Sequence, residues 1–311
     1  MTIGTEMHQA QYETLLGRIA AMTAHPNFRP AAACYFREFH RTQVKNHALL
    51  KLASDEGRYA LAVKIVAMLI SSSETRKLTI GMLQSFAEEH RLCSRNRVTM
   101  IINVAELFGY LHRIKDARDR RSRTIVATEK FQRMFDDGFR YFSLPLALID
   151  PQKSRLIPLA DRALCADFVA EAIDLYLGEM RFGELLPELR AFIHRDGALE
   201  IMARLMIEAR YFTPEQRTIV DLPYARLAGE MALSRSHVQK FFATLAEREL
   251  VRLGRPGGRE IEILPKGDLV AHQIAASFLC VFQIAAGTML RRRGLLDAAD
   301  DAAPAALRES A

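Results

Sequence analysis

Two short segments carry the residues with the clearest chemistry: Ser94-Arg95-Asn96-Arg97 and Ser234-Arg235-Ser236-His237, set 140 residues apart. Each opens a run whose apolar residues recur at helical spacing, SRNRVTMIINVAELFG and SRSHVQKFFATLAERE. Ser94 and Ser234 are expected N-caps, because a serine hydroxyl accepts from the unpaired N–H groups of the first turn. Arginine pairs with guanine, and asparagine with adenine, through two hydrogen bonds each. Recognition helices of helix-turn-helix proteins present their N-terminal residues to base edges in the major groove. Arg95, Asn96 and Arg97 are therefore candidate base contacts on the first helix, and Arg235, Ser236, His237, Gln239 and Lys240 on the second. The same residues would also make an ordinary solvated helix face. The recurrence of Ser-Arg at one point in two segments favours base contact.

After each helix the periodicity changes. Tyr110 to Ile114 alternates like a strand, a charged turn follows, and Thr124 to Ala127 returns. The turn holds Arg118, Asp119, Arg120, Arg121 and Arg123. Arginine suits a narrow minor groove, where the potential is most negative, and an adjacent aspartate can hold a guanidinium in one orientation. In the second segment Leu250 to Leu253 and Glu260 to Leu264 are the expected strands, joined by Gly254-Arg255-Pro256-Gly257-Gly258-Arg259. Its Gly-Arg-Pro core resembles the minor-groove segment of AT-hook peptides, which makes Arg255 and Arg259 candidates. The glycines serve equally to form the turn.

These elements need helices behind them. Arg58 to Ser71 and Leu78 to His90 precede the first segment, and Ala198 to Arg210 and Leu222 to Met231 precede the second. Three helices followed by a two-stranded ribbon is the order of a winged helix-turn-helix. The register between the copies is nearly ungapped: Ser94 meets Ser234, Val98 meets Val238, and Tyr110-Leu111 meets Leu250-Val251. That is a duplicated module, since solenoid repeats have much shorter periods.

Asp116-x-x-Asp119-Arg120-Arg121-Ser122-Arg123, followed by Thr128-Glu129-Lys130, resembles the wing of MarR-type bacterial transcriptional regulators. That wing reads Asp-x-x-Asp-Arg-Arg, a strand, then Leu-Thr-x-x-Gly. The resemblance implies a regulator that binds double-stranded DNA, with Arg120 or Arg121 in the minor groove and Asp119 bracing it. It covers Arg58 to Lys130. Phe131 stands where the family has Gly, so a different turn into the next helix is expected. The family has one winged helix per chain and forms homodimers, whereas two are read here.

The expected fold is mainly α: two winged helix-turn-helix modules joined and flanked by helices, arranged as an intramolecular pseudo-dimer. The boundaries read as N-terminal helices over 1–55, a first winged helix over 56–130 and connecting helices over 131–195. A second winged helix covers 196–266, a packing helix 267–295 and a flexible tail 296–311. Tyr12 to Met22 and Tyr35 to Leu52 are expected helices, with breaks at Pro26 and Pro30. Phe131 to Phe142 is another, ending before an irregular connector marked by Pro145, Pro151 and Pro158; Ala160 to Met180 is the next. Leu269 to Leu290 is almost wholly apolar and is followed by three arginines, a pattern that suits a bilayer. His272, Gln273 and Gln283 interrupt it and favour a helix buried among protein neighbours.

The 311 residues are 50% hydrophobic and 26% charged, with a net charge of +6, which excludes a wholly disordered chain and permits nucleic-acid binding. The N-terminus has no apolar signal-peptide core, so a cytoplasmic location is expected. Cys34, Cys93, Cys165 and Cys280 lie far apart, without a zinc-type cluster, and read as structural thiols. His40 and His47 share a helical face but lack further ligands. No GxSxG, P-loop or HExxH motif is present, so neither an enzyme nor a cofactor is expected. The twelve methionines fit core packing better than a ligand pocket. The expected function is a sequence-specific double-stranded DNA-binding transcriptional regulator, with room for a small-molecule effector and a homodimer and no membrane partner. The alternatives are a plasmid-type replication initiator, which would melt an origin, and a membrane-tethered DNA-binding sensor using the Leu269 segment.

Overall fold

Apolar residues at helical spacing build a mainly helical protein with two small three-stranded antiparallel sheets. The computed structural model describes residues 13–14, 16–45, 55–71, 77–115, 123–179, 181, 195–209, 219–231 and 233–297. Residues 16–23 are helical, and α1 follows over Phe28–Lys45. The first unit consists of α2 (Glu56–Ile70), β1 (Leu78–Thr79), α3 (Ile80–Glu89), α4 (Arg95–Leu107), β2 (Leu111–Lys115) and β3 (Arg123–Ala127). Next come α5 (Glu129–Ile149), α6 (Pro151–Arg155) and α7 (Arg162–Glu179). The second unit consists of α8 (Ala198–Glu208), β4 (Ile219–Val220), α9 (Tyr224–Glu230), α10 (Arg235–Glu247), β5 (Val251–Arg255) and β6 (Arg259–Ile263), and α11 (Pro265–Arg292) closes the order.

The two units repeat each other in order and in sheet topology: β1-β3-β2 in the first, β4-β6-β5 in the second. The 140-residue register holds in the packing. Val98, Ile101, Ile102 and Ala105 are the buried face of α4, and Val238, Phe241, Phe242 and Leu245 that of α10. Both helices end alike. Gly109 and Glu249, at matching positions, both take positive φ, which costs Glu249 more because it carries a Cβ.

Sequence reading missed the third strand of each sheet. Leu78-Thr79 is β1, paired with β3, and not the first turn of a helix. Thr79 instead caps α3 by accepting from Met82 N. Ile219-Val220 pairs with β6 in the same way. Two-residue strands have no period to detect. Pro145 also corrects the expectation: α5 runs through it to Ile149, with Pro145 itself buried. An interior proline costs about 3 kcal/mol; burial of Phe135, Phe139, Phe142 and Leu146 on the same helix offsets it. Pro30 is no break either, lying in the first turn of α1, where a missing N–H costs little.

The flanking helices are exchanged. The helix before the first unit, α1, packs on α8 of the second; the helix before the second unit, α7, packs on α2 of the first. Each also packs on the helix that follows its own unit: α1 on α5, and α7 on α11. Helix α11 further contacts α1, α5 and α6. Its most apolar window has a mean hydropathy of 1.7, and 72% of that window is buried inside the protein. Arg292 and Arg293 bond to Glu171 and Asp167 on α7. Aromatic rings fill the middle, with Tyr35 stacked on Phe278 at 4.7 Å and Phe142 beside Phe282 at 5.1 Å.

The cysteines are free, with Cys165 and Cys280 buried. Burial pushes both of these thiols up to about 12, so they remain protonated at neutral pH.

Candidate nucleic-acid interface

The start of α4 is built as expected. Ser94 accepts from Arg97 N at 3.4 Å, and Arg95, Asn96 and Arg97 are exposed beyond it. The arginines are not all aimed outward. Arg95 turns back onto α3, donating to Glu88 at 2.8 Å and to Gln84 at 3.1 Å. Arg97 leans over the sulfur of Met100 at 3.7 Å. Asn96 is the exposed side chain between them.

Helix α10 starts with the same cap: Ser234 accepts from His237 N at 3.1 Å and sits 3.0 Å from the Ser236 hydroxyl. Arg235, Ser236, Gln239 and Lys240 are exposed. His237 departs from expectation. Its ring turns inward, with Nε2 2.9 Å from the Asp196 carbonyl, so it braces the helix start and does not point away from it. Sequence reading missed Arg195, which donates to the Thr244 hydroxyl at 3.0 Å and lines an open groove with His237 and Lys240.

Both sheets end in a hairpin. In the first, β2 and β3 pair from Leu111↔Ala127 out to Lys115↔Arg123. Arg118, Asp119, Arg120 and Arg121 lie outside the described residues. In the second, the last ladder pair is Arg255↔Arg259. Its Gly-Arg-Pro core is not an extended peptide: Gly254 and Arg255 belong to β5, and Pro256 opens a tight turn. That turn is held down. Leu222 N donates to Gly258 O and Tyr224 N to Gly257 O, each at 2.9 Å. Gly258 has φ +88°, and a Cβ there would come within 2.2 Å of Leu222 O, so the site demands glycine. The turn also reaches the start of α10: a Cβ on Gly257 would be 3.9 Å from the Arg235 guanidinium.

One feature unites the hairpins. The outermost described pair of each ladder is two cations directly opposite one another, Lys115 with Arg123 and Arg255 with Arg259, and all four are exposed. Like charges facing across a ladder are destabilising. Glu260 answers part of this in the second hairpin, at 3.1 Å from Arg255. In the sequence Lys115 reads as part of the charged turn and not as a contact; it is the last residue of β2, and its position opposite Arg123 becomes visible only once the register is known.

Two further readings of the sequence concern the histidines and the methionines. His40 is half-buried and faces Arg204; burial first, and then the nearby guanidinium, hold its pKa below the usual histidine range. His47 lies outside the described residues. A cavity of about 90 Å³ among α1, α2, α5 and α7 is lined by six aromatic residues, among them Tyr59, Phe139 and Phe142, and by one methionine, Met134. Among the described residues no group of His, Cys, Asp and Glu has the arrangement of a metal site.

Comparison with protein-family models, with curated proteins and with solved structures gives no match to this chain.

Proposed function

We propose that this protein binds double-stranded DNA in a sequence-specific way and acts as a transcriptional regulator, through two winged helix-turn-helix units in one chain. The observation that carries this reading is the pair of hairpins, each with facing cations at the outermost described pair of its ladder. A protein keeps such an arrangement at a cost to its own stability, and an anionic partner offsets that cost. DNA phosphates are anions at regular spacing. The exposed starts of α4 and α10 supply hydrogen-bonding side chains suited to base edges, with Asn96 and Arg235 as the principal readers. The order helix, strand, helix, helix, hairpin in each unit is that of a winged helix, with α4 and α10 as recognition helices. The exchange of α1 and α7 supports an intramolecular pseudo-dimer, since a two-fold relation requires contacts to be reciprocal.

The test is selection of duplexes from a random pool by the full chain, then titration at several salt concentrations. The expected result is a motif with two dissimilar halves, and binding that weakens linearly in log salt. Asn96→Ala relaxes base preference in one half and Arg235→Ala in the other, each by about 1–3 kcal/mol of discrimination. A selected pool no different from its input overturns the reading.

A further inference from the structure

We propose that Arg58 is the strut that fixes one unit against the other and thereby sets the spacing between the two half-sites on DNA; the second clause rests on the DNA-binding reading above.

Arg58 lies in the first turn of α2, and its side chain is only 14% exposed. Asp55, the N-cap of α2, accepts from Arg58 N at 2.8 Å and from its Nε at 2.5 Å. The guanidinium is thus oriented from within its own unit. Its Nη2 then crosses to the carboxylate of Asp196, in the turn that opens α8 of the second unit.

Both ends of this bridge are anchored at a candidate recognition helix. On the first side, Gly57 packs so closely on the turn before α4 that a Cβ would lie 2.7 Å from Leu92 O. On the second side, a Cβ on Gly197 would lie 2.8 Å from Leu233, the residue before the α10 cap. The Asp196 carbonyl also meets His237 in the first turn of α10. A continuous series of contacts therefore runs from the start of α4 through Gly57, Arg58 and Asp196 to the start of α10. Gly57 and Gly197 are themselves 140 residues apart, matching positions of the repeat. The bridge thus joins near-equivalent points of the two units, as a contact beside a two-fold axis does.

The role is geometric. An ion pair with one partner open to solvent contributes little to stability, and Asp196 is 51% exposed on its side chain. The consequence of losing it is a wider range of unit-to-unit geometries. Neither Arg58 nor Asp196 belongs to the base-reading set.

Asp196→Ala is the cleaner variant, because the main-chain carbonyl that meets His237 remains; Asp196→Glu is the conservative control. Spin labels at the exposed Glu89 and Glu247, with Cys34 and Cys93 replaced by Ser, report the distance between the units by pulsed electron resonance. Asp196→Ala is expected to broaden that distribution with the thermal midpoint unchanged, Arg58→Ala to broaden it with a lower midpoint because the bond to Asp55 is lost as well, and Asp196→Glu to restore it. In selection against duplexes with variable spacers, both alanine variants keep the wild-type half-site sequences. Their preference for the best spacer over one about five base pairs longer falls about tenfold. An unbroadened distribution in both alanine variants overturns the strut. Broadening without relaxed spacing overturns its part in specificity. Wild type that enriches no duplex, with the same broadening, overturns the DNA-binding reading and leaves the strut in place.

Discussion

The two units share a register but differ in what lies behind them. The first has a core of its own, with Leu61, Leu83, Val98, Ile102 and Ile125 packed in a cluster separate from the main one. The second has none: Val238, Phe241, Phe242 and Leu245 are continuous with the core built by α1, α5, α7 and α11. Larger side chains fill the second, Phe241 and Phe242 standing where the first has Ile101 and Ile102. The hairpins differ in the same sense. Three residues link Arg255 to Arg259 and are tied to α9, whereas seven link Lys115 to Arg123. The same element order and register thus give one unit with a core of its own and one whose core is continuous with the body of the protein.

The sharpest way to break this comparison is in the two cores. Phe242→Ala removes a fully buried ring from the continuous core and should cost about 3–5 kcal/mol. A single cooperative thermal transition should fall. Ile102→Ala, at the matching position, should cost about 2–5 kcal/mol but act locally, with hydrogen exchange rising in α2, α3 and α4 and protection kept in α11. Equal loss of protection in α11 from both variants would erase the distinction.

Next in size is a pH effect confined to the second unit. Burial first, and then the nearby Glu230 carboxylate, raise the Glu200 carboxyl from 4.5 to about 7. The folded state therefore holds a proton that the unfolded state has lost. Stability falls as pH rises from about 4.5 through about 7 and is flat above, a loss of at most about 3 kcal/mol. Glu200→Gln should match wild type at pH 4 and unfold at a higher denaturant concentration at pH 8. The matching residue in the first unit is Ala60, which cannot titrate, so an Ala60→Gln variant should leave the pH profile unchanged.

Gly258→Ala tests the tied hairpin. With φ at +88° and Leu222 O in the way, the substitution should cost about 1–3 kcal/mol. It should also release exchange protection at Leu222 and Tyr224, measurable by NMR. The smallest effect has opposite signs in two assays. Replacing Arg255 and Arg259 together with Ala removes a facing pair of like charges and should raise stability by about 0.2–1 kcal/mol. It should also weaken duplex binding and flatten its salt dependence. Stability and affinity that move together would assign these arginines to the fold.

The repeat was legible in the sequence because it rests on buried positions. Val98 and Val238 fall on one register, and a helix interior tolerates little slippage of its apolar face. The caps were legible because Ser94 and Ser234 act through their nearest neighbours. What escaped was non-local. Strands β1 and β4 are two residues long and exist only through their pairing with β3 and β6. Helix α5 passes Pro145 because of packing that no local pattern reports. The candidate site divides along the same line: Arg235 and Asn96 stand where spacing put them, but Arg95 is drawn to Glu88 and His237 to Asp196 by partners distant in the chain. The facing cations depend on the ladder register, which no local pattern gives.

The exchange of flanking helices also has a consequence for how the chain is made. Helix α1 ends at Lys45, yet it packs on α8 and on α11, which ends at Arg292. At roughly 5–20 residues per second, a ribosome needs about 12–50 s to pass from one to the other. During that interval Tyr35, Phe36 and Phe39 lack the apolar neighbours that α8 and α11 will supply, and the first unit has a separate core that does not include them. Helix α1 thus completes its set of neighbours only after α11 has been made, and until then its aromatic face is incompletely covered.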